Sequence, residues 1–99
     1  MKINPNDEVT LLKIGNIYKI KNDNENASDF YKKSILVNPE YADGWFNLGL
    51  VYANQKNYEE AKKSFQHVIS IDSEYAYAYY ALAMTAESEK DKAQALIYY

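Results

Sequence analysis

The feature that most constrains the fold is a pattern that recurs every 34 residues through most of the chain. Its clearest copy lies in the middle of the sequence, at Trp45, Leu48, Gly49, Tyr52, Ala61 and Phe65. The same residue classes stand 34 positions earlier at Leu11, Ile14, Gly15, Tyr18, Ala27 and Tyr31. They return 34 positions later at Tyr79, Leu82, Ala83, Ala95 and Tyr99. A fixed period of this length predicts an array in which each repeat buries its apolar face on its neighbours.

The apolar residues of each repeat are spaced for an α-helix. Leu11, Ile14, Gly15 and Tyr18 follow the i, i+3, i+4, i+7 spacing of one stripe on a helix surface. Glycine in a helix interior destabilises the helix by about 1 kcal/mol relative to alanine, so Gly15 needs a compensating contact. We expect that contact to be a close approach of the next helix at Ala27.

Polar residues between the stripes mark the helix ends. Residues 22–24 read Asn-Asp-Asn, and Asp23 suits the N-cap of a second helix. Asn57 stands 34 positions later with Glu60 at capping-box spacing, and Asp91 follows after another 34. The spacing predicts helices over residues 8–21, 24–37, 42–55, 58–71 and 76–88, with a further helix after Asp91.

These residues resemble the signature of the tetratricopeptide repeat, a 34-residue helix–turn–helix unit. Pro39 matches the proline that closes the second helix in that family, since proline cannot continue a helix. The resemblance implies an all-α fold, a right-handed superhelical solenoid of antiparallel helix–turn–helix hairpins. It divides a single domain, 1–99, into residues 1–7, repeat one at 8–41, repeat two at 42–75, and repeat three at 76–99, truncated in its second helix.

Residues 1–7 are open to two interpretations. Ile3-Asn4-Pro5 lies 34 positions before Val37-Asn38-Pro39, where the first full repeat ends. This match favours the tail of a preceding repeat. The alternative is an N-terminal lead, a loop that only carries residues suited to start a helix.

Composition excludes several classes of function. The net charge is −3, and all 11 basic residues are lysine, so neither the charge nor the residue types suit a nucleic-acid partner. No cysteine is present, which excludes disulfides and thiolate ligands. No apolar run reaches the roughly 18 residues of a membrane helix, and we expect no membrane insertion. Without a recognisable targeting signal, the expected location is cytoplasmic.

The sequence offers no arrangement for catalysis, for a cofactor or for a metal. His67 has no carboxylate and no second metal ligand three or four residues away, so the sequence indicates neither a catalytic triad nor a metal site. Gly15, Gly44 and Gly49 are too far apart for a phosphate-binding loop. We therefore predict that the protein is not an enzyme and carries no cofactor.

Helical geometry identifies a candidate binding face. At 100° per residue, the stripe that contains Trp45 points inward, and Phe46, Asn47 and Leu50 fall on the opposite side. The resemblance to tetratricopeptide arrays implies that this side of the helices lines a concave groove. The candidate groove residues are Leu12, Asn16, Lys19, Phe46, Asn47, Leu50, Asn54, Tyr77, Tyr80 and Met84. We expect their apolar members to contact ligand side chains and their asparagines to hold the ligand backbone.

One known groove of the family, the carboxylate clamp that grips the C-terminus of chaperone tails, fits this chain poorly. Two of its asparagine positions match, at Asn16 and Asn47. Its basic positions fall instead on Leu12, Tyr77 and Ala81, and without those cations a terminal carboxylate has little to hold it.

Three functions remain. The first is a protein-interaction scaffold that binds a peptide or amphipathic segment of a partner in the groove. The second is a structural solenoid segment that associates with itself through its uncapped C-terminal helix, residues 95–99, by stacking or by exchange of that helix. The third is a regulatory arm of a larger protein whose other domains lie elsewhere.

Overall fold

The computed structural model describes the backbone of residues 7–98 and the side chains of residues 7–92. Within that range the chain is all α-helix, with no strand. The helices are α1 (Glu8–Ile20), α2 (Asn24–Val37), α3 (Ala42–Asn54), α4 (Tyr58–Ile71) and α5 (Ala76–Tyr98). The predictions for Pro5 and Tyr99, and for the side chain of Ala95, lie outside the described residues.

The helices form an elongated stack of hairpins. Helix α1 packs on α2 and α3 packs on α4, while α2 with α3 and α4 with α5 join successive hairpins. The inner helices α1, α3 and α5 also touch in order, and the principal extents are 58 × 30 × 17 Å. The predicted all-α repeat fold is confirmed.

The helix caps agree in part with the sequence prediction. The carboxylate of Asp23 accepts a hydrogen bond from the backbone N–H of Asn26 at 3.2 Å, as an N-cap should. Asp7 caps α1 in the same way, accepting from the N–H of Thr10 at 2.7 Å. The capping box predicted at Asn57 is wrong, because its side chain makes no cap hydrogen bond; its backbone carbonyl instead accepts from the N–H of Ala61 at 3.1 Å.

The turns inside the two complete hairpins share one backbone conformation. Asn22 and Lys56, which are 34 positions apart, have φ values of 64° and 63°, in the left-handed region. A left-handed residue after the last helical turn stops the helix and reverses the chain. Lysine adopts this conformation less readily than asparagine, so the second turn is held by its surroundings.

The turn predicted before a sixth helix is absent, and the cap predicted at Asp91 is wrong. Helix α5 runs without interruption from Ala76 to Tyr98. Residues 88–92 contain no glycine, proline or asparagine, so no local residue favours a left-handed stop. Two contacts also hold the extended helix on α4: the ammonium of Lys62 lies 2.7 Å from the carboxylate of Glu89, and that of Lys92 lies 5.9 Å from the ring centre of Tyr58.

Each complete hairpin is closed by an aromatic ring placed over a glycine. A Cβ at Gly15 would lie 2.7 Å from the Tyr31 ring, and one at Gly49 would lie 2.5 Å from the Phe65 ring. Both rings are fully buried. The predicted close approach of the second helix to Gly15 is present, but its nearest atoms belong to the Tyr31 ring, one turn after Ala27. Ala27 is itself fully buried in the core.

The signature positions differ in burial, and two of the exposed ones lie where no second helix covers them within the described residues. Those that are buried are Leu11, Gly15, Ala27, Tyr31, Leu48, Gly49, Ala61 and Phe65. Those that are half-buried are Ile14, Tyr18, Trp45, Tyr52 and Leu82. Pro39, Tyr79 and Ala83 are exposed. Tyr79 and Ala83 occupy the places of Trp45 and Gly49, but within the described residues no second helix covers them.

Trp45 joins the two hairpins. Its indole N–H donates to the carbonyl of Pro39 at 2.8 Å, and its ring lies 4.0 Å from that of His67 between centroids. It also packs against the core cluster that contains Tyr31 and Leu48. Trp45 therefore links the connecting turn and α4 to the core cluster that α1, α2 and α3 share.

We predict that Gly49→Ala destabilises the protein. The new methyl group would lie 2.5 Å from the buried Phe65 ring, and overpacking of this kind costs about 1–3 kcal/mol. Alanine favours a helix over glycine by about 1 kcal/mol, which offsets part of this cost. The net destabilisation therefore requires that the Phe65 ring cannot move away. Chemical denaturation should show it, and Phe65→Leu should cost less in the Gly49→Ala background than alone. An unchanged or raised midpoint for Gly49→Ala would contradict the prediction.

The capping carboxylates predict part of the acid sensitivity. The cap hydrogen bond from the Thr10 backbone lowers the pKa of Asp7 below 3.8, and hydrogen bonds from Asn26 lower that of Asp23. A carboxyl group whose pKa is lower in the folded than in the unfolded state stabilises the fold at pH values above its unfolded pKa. This stabilisation is lost as the pH falls through the folded pKa. The double variant Asp7→Asn/Asp23→Asn keeps one oxygen at each cap to accept from the backbone N–H but cannot titrate, and it loses the acceptor for the Asn26 side chain. Its melting temperature should fall less than that of the wild type between about pH 5 and pH 3.

Candidate functional site

Among the described residues, two cavities on the inner helices lie one on each side of α3. The apolar cavity lies between α3 and α5 and has a volume of about 480 Å³. Its lining residues are Phe46, Leu50, Ala53, Asn54, Lys56, Tyr58, Phe65, Tyr77, Tyr80, Ala81, Met84, Thr85 and Ser88. The polar cavity lies between α1 and α3, measures about 420 Å³, and is lined by Asn16, Lys19, Ile20 and Asn47.

The apolar cavity has a fixed floor and an exposed rim. Phe65 and Ala81 are buried beneath it. Phe46 rests on that floor, with its ring centroid 5.7 Å from that of Phe65. The rim is left to solvent, since Tyr77 is 71% exposed and Tyr80 is 67% exposed.

Phe46 is also held from the side of α5. Its ring centroid lies 5.3 Å from that of Tyr75 and 6.4 Å from that of Tyr77, with tilted planes in both pairs. The hydroxyl of Tyr75 donates to the carboxylate of Asp43 at 2.6 Å. Burial first, and then this contact with Asp43, raise the pKa of Tyr75 above its ordinary value. Tyr75 therefore stays a neutral donor that anchors α5 to α3.

Hydrogen bonds orient the two asparagines of the polar cavity in opposite ways. The amide oxygen of Asn16 accepts from the hydroxyl of Tyr31, so this oxygen is occupied inside the protein. Burial raises the pKa of Tyr31 to about 12, which keeps that hydroxyl a donor. The amide nitrogen of Asn47 donates to the backbone carbonyl of Asp43 at 2.9 Å. The first asparagine thus retains its N–H groups for a ligand, and the second retains its oxygen.

Lys19 brings a cation into the polar cavity. Its side chain is half-buried, and burial lowers its pKa below the usual 10.5. Within the described residues no carboxylate lies within 4 Å of its ammonium. The positive charge therefore loses water on folding without gaining an internal partner.

Nine of the ten predicted groove residues line one of the two cavities. Those at the apolar cavity are Phe46, Leu50, Asn54, Tyr77, Tyr80 and Met84. Those at the polar cavity are Asn16, Lys19 and Asn47. The structure places Leu12 elsewhere: it lies in the core cluster with Leu48 and Val51. Leucine is shorter than the phenylalanine found 34 positions later, and the side chain of Leu12 is buried in that cluster.

Asn54 is partly committed to the fold, because its amide nitrogen donates to the side-chain oxygen of Asn24 at 3.2 Å. Sequence reasoning missed Lys56, Tyr58 and Ser88, which close one end of the apolar cavity. Lys56 lies in the hairpin turn and Tyr58 at the start of α4, so a search confined to one face of the inner helices could not include them. Ser88 lies one turn after Met84 on the same face of α5, where helical periodicity could have found it.

The described residues hold no arrangement for metal chemistry. Within residues 7–92 no three side chains of histidine, cysteine, aspartate or glutamate come together. The ring of His67 packs against that of Trp45 with the two planes tilted by 41°. None of the helices in the described part of the chain is long and apolar enough to cross a membrane.

Two sequence models of one family match the chain. The model described as tetratricopeptide repeat matches residues 42–75, and that described as TPR repeat matches residues 15–56. Together they span residues 15–75, or 61 of the 99 residues. No curated protein sequence matches the chain.

Solved structures share the fold at low sequence identity. The crystal structure of MamA protein superposes with a TM-score of 0.83 and 23% identity, covering 96% of this chain and 52% of that one. The Arabidopsis OM64 TPR domain gives 0.81 and 19%, covering 85% and 69%. The first TPR of Spaghetti (RPAP3), bound to the HSP90 peptide SRMEEVD, gives 0.82 and 17%, covering 88% and 69%. The chain spans about half the length of MamA, and these likenesses show the fold.

Proposed function

The chain belongs to the tetratricopeptide-repeat family, and from this premise we propose that it is a protein-interaction scaffold that binds a peptide segment of a partner in the groove of the inner helices. An apolar side chain of the ligand occupies the apolar cavity, and the polar cavity holds the adjoining ligand backbone. The ligand is a protein, not a nucleic acid or a membrane.

The observation that carries the proposal is the exposed apolar rim above a fixed floor. Tyr77, Tyr80 and Met84 present large side chains to solvent around a cavity of about 480 Å³. Exposed apolar surface of this kind favours a binding site, and tyrosine offers wide contact with few rotors to freeze. The floor formed by Phe65 and Phe46 is already assembled, so binding requires little reordering.

One of the structural relatives supports a peptide as the ligand. The Spaghetti (RPAP3) domain is bound to a peptide, which is consistent with a peptide ligand for a fold of this kind. Proteins of the tetratricopeptide family are typically not catalytic, and we propose no reaction for this chain. A regulatory arm of a larger protein would use the same groove and is compatible with this proposal.

We predict that peptides selected from a random 12-residue display library bind at the apolar cavity. The wild-type protein should enrich peptides with a large apolar residue, and Tyr80→Ser should weaken their binding about tenfold or more, since it removes one wall of the cavity. The matched control is Tyr79→Ser, which removes the neighbouring tyrosine from the other side of α5. Isothermal titration measures both, and circular dichroism checks the fold.

Three results would contradict the groove as the binding site. One is the absence of any enriched peptide. Another is equal binding by wild type and Tyr80→Ser. The third is a loss of binding in Tyr79→Ser alone, which would place the ligand on the outer side of α5.

The second candidate function is self-association, and an observation on α5 favours it. Tyr79 is 49% exposed and Ala83 is exposed, whereas Gly49 at the equivalent position of α3 is buried under Phe65. We propose that this uncovered face of α5, defined by Tyr79 and Ala83, packs against the same face of α5 in a second copy. Alanine at position 83 suits close contact between two such helices.

We predict that the average mass in sedimentation equilibrium rises with concentration into the high micromolar range. Tyr79→Glu should give a monomer, because it places a charge within the proposed contact. Tyr80→Glu, with the same charge on the groove side, should associate as the wild type does. A constant monomer mass for the wild type, or dissociation by Tyr80→Glu alone, would contradict this second function.

A further inference from the structure

The charged residues that line the groove are of one sign. Among the described residues that line the two cavities, the charged ones are Lys19 and Lys56, and none is acidic. The whole chain has the opposite balance, with 14 acidic residues against 11 lysines and a net charge of −3. The two cavities therefore present positive charge on an acidic protein, and the nearby carboxylate of Asp43, on the same face of α3, already accepts a hydrogen bond from the Tyr75 hydroxyl.

Lys19 is the better placed of the two cations. It is half-buried, whereas Lys56 is exposed in the hairpin turn. A half-buried ammonium without a carboxylate partner gains more from a bound anion than an exposed one, because less water remains to screen the pair. The lowered pKa of Lys19, caused by burial, is consistent with this missing partner.

The asparagines around Lys19 complete a pattern of donors and acceptors. The amide oxygen of Asn16 is taken by Tyr31, so its amide N–H groups are the part left for a ligand. The amide nitrogen of Asn47 is engaged with the carbonyl of Asp43, so its oxygen can accept a further hydrogen bond. The cavity thus offers two donor groups suited to a carboxylate, and one acceptor suited to a peptide N–H.

The two cavities share α3 as a common wall. Phe46 and Asn47 are consecutive, and the first lines the apolar cavity while the second lines the polar one. A ligand that places an apolar side chain beside Phe46 therefore brings its neighbouring residues close to Asn47 and Lys19. The two contacts fall within one short segment of peptide.

We infer that the ligand is an acidic–apolar peptide, in which an aspartate or glutamate side chain near the apolar anchor is bound by Lys19 and Asn16, while Asn47 accepts a hydrogen bond from the ligand backbone. This inference rests on the proposed function and names the chemistry of its ligand. The carboxylate belongs to a side chain within the peptide, and the chain terminus is the other source that the experiment separates.

The experiment uses the peptides enriched by the wild-type protein from the display library, synthesised with an acetylated N-terminus and an amidated C-terminus. The enriched sequences should share an acidic residue at a fixed distance from the apolar residue. Replacing that residue by its amide, Glu→Gln or Asp→Asn, should weaken binding about tenfold, the usual scale for loss of a charge-assisted hydrogen bond. The same peptides with a free C-terminal carboxylate should bind no more than about twofold better.

The protein variants locate the contact. Lys19→Gln should weaken the acidic peptide about tenfold and leave its amide version unchanged, while Lys19→Arg should retain most of the binding. Lys13→Gln is the matched control, since it removes the same charge from an exposed position of α1 that lines neither cavity. Circular dichroism melting confirms that each variant is folded.

The outcomes separate this inference from the proposed function. Enrichment of apolar peptides without a shared acidic residue overturns the inference and leaves the proposed function standing. Loss of binding on C-terminal amidation also overturns it, in favour of a terminal carboxylate. Equal weakening by Lys13→Gln and Lys19→Gln reduces the contact to general charge attraction and overturns it too. Absence of any enriched peptide overturns both.

Discussion

The placement of one aromatic ring over one glycine governs the structure of each complete repeat. Tyr31 lies on Gly15 and Phe65 lies on Gly49, at distances that a Cβ could not share. The contact lets two helices approach closely while a large ring is fully buried, and burial of such a ring is a main source of stability in a small domain. Hairpin closure, the position of the inner helices and the floor of the apolar cavity all follow from it, because Phe65 serves in both the hairpin and the cavity.

The same contact explains why the third repeat differs. Helix α5 has Ala83 where α1 and α3 have glycine, and within the described residues no ring covers it. Without that burial, the chain gains little by reversing after residue 88, and the helix-forming residues there continue the helix. The ion pair between Lys62 and Glu89 then favours the continued path. Within residues 7–92, the features that favour the continued helix are therefore local helix propensity and the contacts of α5 with α4.

Sequence reasoning succeeded where periodicity fixes the answer. The 34-residue period placed the first four helices within about one residue of their observed ends, and it selected nine residues that line the cavities. It failed where the outcome depends on packing between side chains. Leu12 has the register of a groove residue, but it ends in the core under Leu48 and Val51. The period could not show this, because register fixes the direction of a side chain and not how far its neighbours extend over it.

The separation of core and groove depends on how each residue at the boundary is held. Phe46 belongs to both, since its ring packs on Phe65 and Tyr75 while its outer face lines the cavity. Tyr80 and Met84 have no such double role, because they stand at the rim with most or nearly half of their surface exposed. A change at Phe46 therefore alters the fold and the site together, whereas a change at Tyr80 alters the site alone. The floor of the groove is part of the folded core. The binding specificity of the groove depends on rim residues that can be replaced without loss of the repeat fold.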